Sequence, residues 1–291
     1  MRPKLCFCNM ARRKKRRDAK WRYARRLLLV GAWVLLIVAI LVAVLHWGAA
    51  SAWRSLDIEA GARLRDSLEV VKLPARTPNQ VLRYDGFTVY FNKKWHVPNC
   101  AVYELTRHEA QGSLARTGSF VADSAVAGCA RPWDYTLSGY ERGHIVPAGD
   151  MRWSQKAMAA SFVMTNVCPQ AKALNQGGWS KLEDEVRSWA VRDSALIVVA
   201  GPVLTPGMAT IGSRHVAVPK RFFKVVLAPY ARPMRAIGFI YPNAKASGSL
   251  SRYAVSVDRV EQVTGYDFFT ALPREVEREV ESRLNLDQWL R

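Results

Sequence analysis

Acidic residues are scarce in this chain: 24 Asp and Glu stand against 43 Lys and Arg in 291 residues, for a net charge of +19. That imbalance argues against a polycationic partner and for a polyanion. Cysteine is also sparse, at five residues. No two of Cys100, Cys129 and Cys168 have the spacing of a zinc site, which excludes a finger-type fold held by metal. There is no internal repeat, which excludes a solenoid. Strand and helix patterns follow one another without regular βαβ alternation, so a doubly wound sheet is disfavoured and an α+β fold with a mixed or antiparallel sheet is expected. Apolar residues nevertheless make up 49% of the chain, enough for a packed core and against general disorder.

The charge is uneven. Residues 1–26 hold 12 basic residues and one acid, a balance of +11, and the rest of the chain carries +8. The head runs into LLLVGAWVLLIVAILVAVLHW at 27–47, where only His46 can ionise. About 20 apolar residues suffice to cross a bilayer. The basic cluster before the run places the N-terminus in the cytoplasm and the body on the far side. The alternative is a cleaved signal peptide, with Ala50-Ser-Ala52 as the cleavage site. Both readings export the body. The expected organisation is a basic tail at 1–26, a transmembrane helix at 27–47, a linker at 48–80 and one folded domain at 81–291. Cys6 and Cys8 then lie on the cytoplasmic side. Cys100, Cys129 and Cys168 face an oxidising compartment, where Cys100 with Cys129 is the expected pair and three free thiols the alternative.

Within the body, Phe87–Phe91, Ala101–Thr106, Ser161–Thr165, Leu196–Ala200, Phe222–Leu227 and Ala236–Ile240 read as strands. Helices are expected at Leu56–Leu73, at Asn175–Val191, where Trp179, Leu182, Val186 and Trp189 fall at helical spacing, and at Pro273–Leu284, with Val276, Val280 and Leu284 on one face. Residues 107–138 read as a long irregular connection, a length that in a compact domain is often functional.

Two segments concentrate chemistry. Glu141-Arg142-Gly143-His144 puts three ionisable groups side by side, which a buried strand does not tolerate unless they are paired or working. The second runs Asn166…Pro169-Gln170…Asn175…Trp179…Glu183 into the apolar-striped helix. Helix capping accounts for one of these asparagines but not for the whole set.

Together the two segments resemble the DNA/RNA non-specific endonucleases of the ββα-metal type. In that family a D-R-G-H motif precedes an N-x-x-P-Q-x-x-x-x-N-x-x-x-W helix entry. Looser matches, including Tyr84-Asp-Gly-Phe87, Arg116…Phe120…Asp123, Phe223-Lys224 and Pro242-Asn243, extend the resemblance over roughly residues 80–285. It implies His144 as general base and Asn175 as the single protein ligand of Mg2+ or Mn2+. On a regular helix Glu183, eight residues after Asn175, leans back toward it and would bond to water around the ion; the alternative is a solvated helix face on which Glu183 pairs with Arg187. Arg142 and Arg116 would clamp phosphate, and Glu141, Asn166 and Gln170 would brace the site. The family's first Asp is Glu141 here, either holding the loop or orienting His144. The expected partners are DNA and RNA, the membrane through 27–47, and a second copy in a homodimer. The alternatives are a catalytically impaired nucleic-acid-binding protein of the same fold and a phosphodiesterase with another substrate.

Overall fold

The computed structural model describes residues 67–290, so the basic tail, the apolar run, Cys6, Cys8 and most of the expected linker lie outside the described residues. Among the described residues no helix is long and apolar enough to cross a membrane.

The β-branched and aromatic runs pair into one antiparallel sheet of seven strands. Its order is β1 (Gln80–Tyr84), β2 (Phe87–Asn92), β3 (Val97–Thr106), β6 (Ala195–Pro202), β9 (Arg221–Ala228), β10 (Arg235–Pro242) and β11 (Ala254–Val255). Two short pairs stand apart, β4 (Glu141–His144) with β5 (Val167–Gln170) and β7 (Thr210–Ile211) with β8 (Val216–Ala217). The helices are α1 (Arg107–Ala110), α2 (Gln155–Ser161), α3 (Ser180–Asp193), α4 (Val257–Thr264) and α5 (Arg274–Ser282). Mixed helices around an antiparallel sheet are the α+β arrangement expected from the sequence.

Both faces of the sheet are covered, which is why β2 and β6 are buried along their whole length. Alternation along β3 divides the core in two. Ala101, Tyr103 and Leu105 join a cluster with Ile145, Trp179, Leu182 and Trp189, whereas Cys100 and Val102 join one with Val257, Val260 and Val280. The first face carries the β4–β5 pair and α3, and the second carries α4 and α5. Residues expected to end the linker belong to this packing: Leu68 and Val71 are buried in the second cluster, and Lys72 bridges to Asp267.

Several local expectations are corrected. Ser161–Thr165 is not a strand. Ser154 caps α2 by accepting from the Ala157 N–H, α2 runs to Ser161, and Met164–Asn166 form a 3-10 turn. The helix expected at Asn175–Val191 is broken at its start. Leu174–Trp179 form a wide π turn with Gly177 off helical geometry, and regular α-helix begins at Ser180. The Gly177-Gly178 pair removes the side chains that hold a helix, and a Cβ at Gly178 would lie 2.8 Å from Ala246. The last helix stops at Ser282, leaving Leu284 exposed and off its apolar face. Cys100, Cys129 and Cys168 are all free and buried. Cys100 and Cys129 lie in the clusters on opposite sides of the sheet, so the expected bridge does not form.

Candidate active site

The β4–β5 pair and the helix after it make a ββα unit. The register sets Glu141 opposite Gln170, Gly143 opposite Cys168 and His144 opposite Val167. Gly143 is required here: a Cβ would fall 2.2 Å from Gln170 Oε1 and 2.6 Å from its Cβ. Gln170 is fully buried and fills this space, and neither of its amide atoms has a hydrogen-bond partner. Asn166, also fully buried, braces the turn instead. Its Oδ1 accepts from Val146 N, and its Nδ2 donates to Val146 O and Ser161 O, each at 2.9 Å.

The long connection is pinned to this unit. Val121 and Val163 form an isolated parallel bridge. Asp123 accepts from Tyr84 Oη and, at 2.8 Å, from Thr165 Oγ1. This pinning delivers Phe120 and Arg116 to His144. The imidazole lies 4.9 Å from the Phe120 ring and 5.0 Å from the Phe162 ring. Arg142 sits over Phe120 at 5.2 Å and Arg116 over Phe162 at 5.4 Å. His144 is thus held between two phenyl rings, each covered by a guanidinium.

A cleft of about 630 Å3 opens on this arrangement. His144, Arg142, Arg116, Glu141, Asn175 and Glu183 all line it. The two braces, Asn166 and Gln170, do not. Burial, and then the nearby positive charge of Arg116, lowers the His144 pKa to about 3. Its Nε2 is buried without a partner. Both facts favour the neutral ring.

Glu141 resolves its two alternatives. Its carboxylate accepts from Asn175 Nδ2 at 2.8 Å and from Gln176 Nε2 at 2.7 Å, so it holds the helix entry. With its NH2 engaged, Asn175 has its carbonyl oxygen left as donor to a cation. The wide turn and Gly177 make this possible by carrying Asn175 and Gln176 on one bend, and the regular-helix spacing assumed between Asn175 and Glu183 does not apply.

Glu183 lies at the cleft floor above a charged layer that sequence reasoning did not anticipate. Arg187, the partner of Glu183 in the alternative reading, instead donates to Asp150 Oδ1 at 2.7 Å and to Asp184. Asp150 is fully buried and also accepts from Tyr103 Oη at 2.7 Å. Lys224 is fully buried in β9, and its Nζ lies 4.8 Å from the Trp179 ring with no hydrogen-bond partner. Burial raises the Glu183 pKa to about 7, opposed chiefly by Lys224. Burial in turn lowers Lys224, and Glu183 opposes that shift. Asp150 and Arg187 carried no motif signal; only alignment of Lys224 with the resemblance marked it.

The residues lining the cleft offer a carboxamide oxygen and carboxylates but no thiol. Among the described residues, no group of three His, Cys, Asp or Glu side chains converges here. Such a donor set fits a hard ion that keeps most of its water, as Mg2+ does.

The sequence model of the DNA/RNA non-specific endonucleases matches residues 66–275. The chain belongs to that family. Among its relatives, the mitochondrial nuclease EXOG of Mus musculus is 33% identical over 212 residues, 66% of this chain and 57% of that protein. A nuclease of Nostoc sp. is 30% identical over 220 residues, covering 71% of this chain and 79% of its own. The mitochondrial endonuclease G of Homo sapiens is 36% identical over 148 residues, 46% of this chain and 50% of that protein. This endonuclease-family chain thus spans little more than half the length of the mouse relative. A crystal structure of an EndoG/EndoGI complex matches with a TM-score of 0.65 and 26% identity, covering 68% of this chain and 88% of that one.

Proposed function

We propose that this chain is a metal-dependent endonuclease that hydrolyses phosphodiester bonds of DNA and RNA. The observation that carries the reading is the convergence of His144 and Asn175 on one cleft, from a hairpin and a helix entry, with Glu183, Arg142 and Arg116 around them.

His144 takes the proton of the attacking water. The neutral ring is already in the accepting state at pH 7, and an incoming phosphate raises its basicity by stabilising the imidazolium. Arg142 and Arg116 bind phosphate oxygens through their guanidinium groups. Asn175 presents its carbonyl oxygen to a divalent cation, Mg2+ or Mn2+. That ion, when bound, neutralises charge developing on the phosphate and the leaving 3′-oxygen. Glu183 orders water beside Asn175. With Arg142 and Arg116 engaging backbone phosphate, binding carries little sequence preference. Glu141 bonding to both Asn175 and Gln176 favours this reading over an impaired binding protein, because the longer carboxylate still holds the loop.

The body is proposed to be exported and tethered by residues 27–47, with the N-terminus in the cytoplasm and the nuclease periplasmic or extracellular. The basic head and the 21-residue apolar run support this. The homodimer rests on the resemblance, and sedimentation of the detergent-solubilised chain tests it.

Plasmid cleavage by the full chain in Mg2+, with and without EDTA, tests the enzyme. His144→Ala should lower the rate by about 10²–10⁴. Plasmid binding without cleavage supports the impaired reading, and cleavage only of small phosphodiesters supports the other. An H144A protein that cuts normally removes the base assignment.

A further inference from the structure

On the far side of the sheet, α4 and α5 bring together three carboxylates that the cleft does not use. Asp258 and Glu261 are three residues apart on α4 and share a face. Glu281 reaches them from α5. One oxygen from each lies within 4.8 Å of the others. Val257, Val260 and Val280 anchor the two helices in the second core cluster, away from the cluster that holds Trp179 and Leu182 under the cleft.

Glu281 is the informative member. It is only 5% exposed, and its Oε1 is sealed from solvent with no hydrogen-bond partner. The charged groups acting on it most strongly are Glu261, Glu277, Asp258 and Asp267, all acidic. Two basic groups of this region are engaged with other side chains. Lys72 pairs with Asp267 at 3.2 Å, and Arg259 donates to Gln262 at 3.2 Å. Arg274 acts on Glu277. Glu261 Oε1 is already fixed by the Phe268 N–H at 2.9 Å. In a chain with nearly twice as many basic as acidic residues, a buried carboxylate crowded by other carboxylates and with a sealed oxygen that accepts no hydrogen bond is a cost.

We propose that Asp258, Glu261 and Glu281 form a second, structural divalent-cation site of the Ca2+ type. Three carboxylates supply hard oxygen donors, and water completes the six to eight ligands such an ion takes. The three oxygens all lie within 4.8 Å of one another, so a single ion with water in its remaining positions can gather them. Mg2+ is usually held by one or two carboxylates and keeps more of its water, so a set of three carboxylates suits Ca2+ better. The ion bridges α4 to α5 and so fastens the last helix to the body.

The test uses the full chain carrying Asn175→Ala, which removes the oxygen offered to a cation in the cleft. Ca2+ should raise the thermal unfolding midpoint by about 5 °C at saturation, and calorimetric titration should count one ion per chain. Adding Glu281→Gln should abolish that shift without lowering the midpoint in EDTA, because it removes a like charge. Asp258→Asn, at the more accessible rim, should weaken Ca2+ binding about tenfold. A midpoint indifferent to Ca2+, or an equal shift with and without E281Q, overturns the proposal. The readout is stability, so its failure leaves the nuclease reading untouched.

Discussion

At His144 the surroundings decide the charge. Two phenyl rings and a nearby guanidinium disfavour the imidazolium, and the folded pKa falls to about 3 from 6.5. The unfolded chain therefore binds this proton first. Stability from this residue is fully present above pH 6.5 and is lost as the pH falls toward 3. At pH 5 the loss is about 2 kcal/mol, from 1.36 kcal/mol per pKa unit. His144→Asn should remove that part of the slope, and urea midpoints at pH 7 and pH 5 measure it. Glu141 acts through another residue. Truncation to Ala leaves Asn175 and Gln176 without their acceptor, and the apparent Mg2+ affinity in the cleavage assay should drop about 10–100-fold. Equal Mg2+ curves for E141A and the parent would show that Asn175 needs no such support.

At the level of elements, the cleft depends on keeping the β4–β5 limb fixed against α3. The Asp150–Arg187 pair does this directly, joining the turn after β4 to the middle of α3. Gly149 packs under the guanidinium, where a Cβ would lie 2.9 Å from Arg187 Nη1. Arg187→Met leaves a buried carboxylate with Tyr103 as its remaining side-chain donor and should cost about 3 kcal/mol. Adding Asp150→Asn should recover much of that loss, because the uncompensated charge is gone. A chemical-denaturation cycle over the four proteins checks both, and strict additivity would show that the pair is not coupled. The ββα order itself was implied by the resemblance of the two segments to the endonuclease family. The break at Gly177 was not, because the apolar stripe from Trp179 to Trp189 does not mark where regular helix begins, and the contact of Gly178 with Tyr241 and Ala246 joins distant segments.

For the whole molecule, charge sets the encounter with substrate. The chain beyond its basic head still carries +8, and Arg116 and Arg142 stand exposed at the cleft. Binding to phosphate releases counterions, so log KM should rise linearly with log salt concentration. Replacing either arginine by Ala should reduce that slope by about 1, uniformly across substrate sequences. Steady-state kinetics on a fixed duplex between 50 and 200 mM NaCl would show it, and an unchanged slope for R142A would place its guanidinium away from the phosphate.

The sequence alone determined the α+β class, most of the central strands and the two segments that carry His144 and Asn175. Periodicity, β-branched runs and motif spacing are local properties that a linear chain displays. The expected disulfide, the strand at Ser161–Thr165 and the Glu183–Arg187 pairing were decided otherwise. Which sheet face a cysteine joins, whether Asp150 outcompetes Glu183 for an arginine 37 residues away, and where Glu281 meets Asp258 depend on contacts between distant segments. Those choices minimise unpaired buried charge and wasted core volume over the whole fold, and only the folded chain presents all the competitors at once.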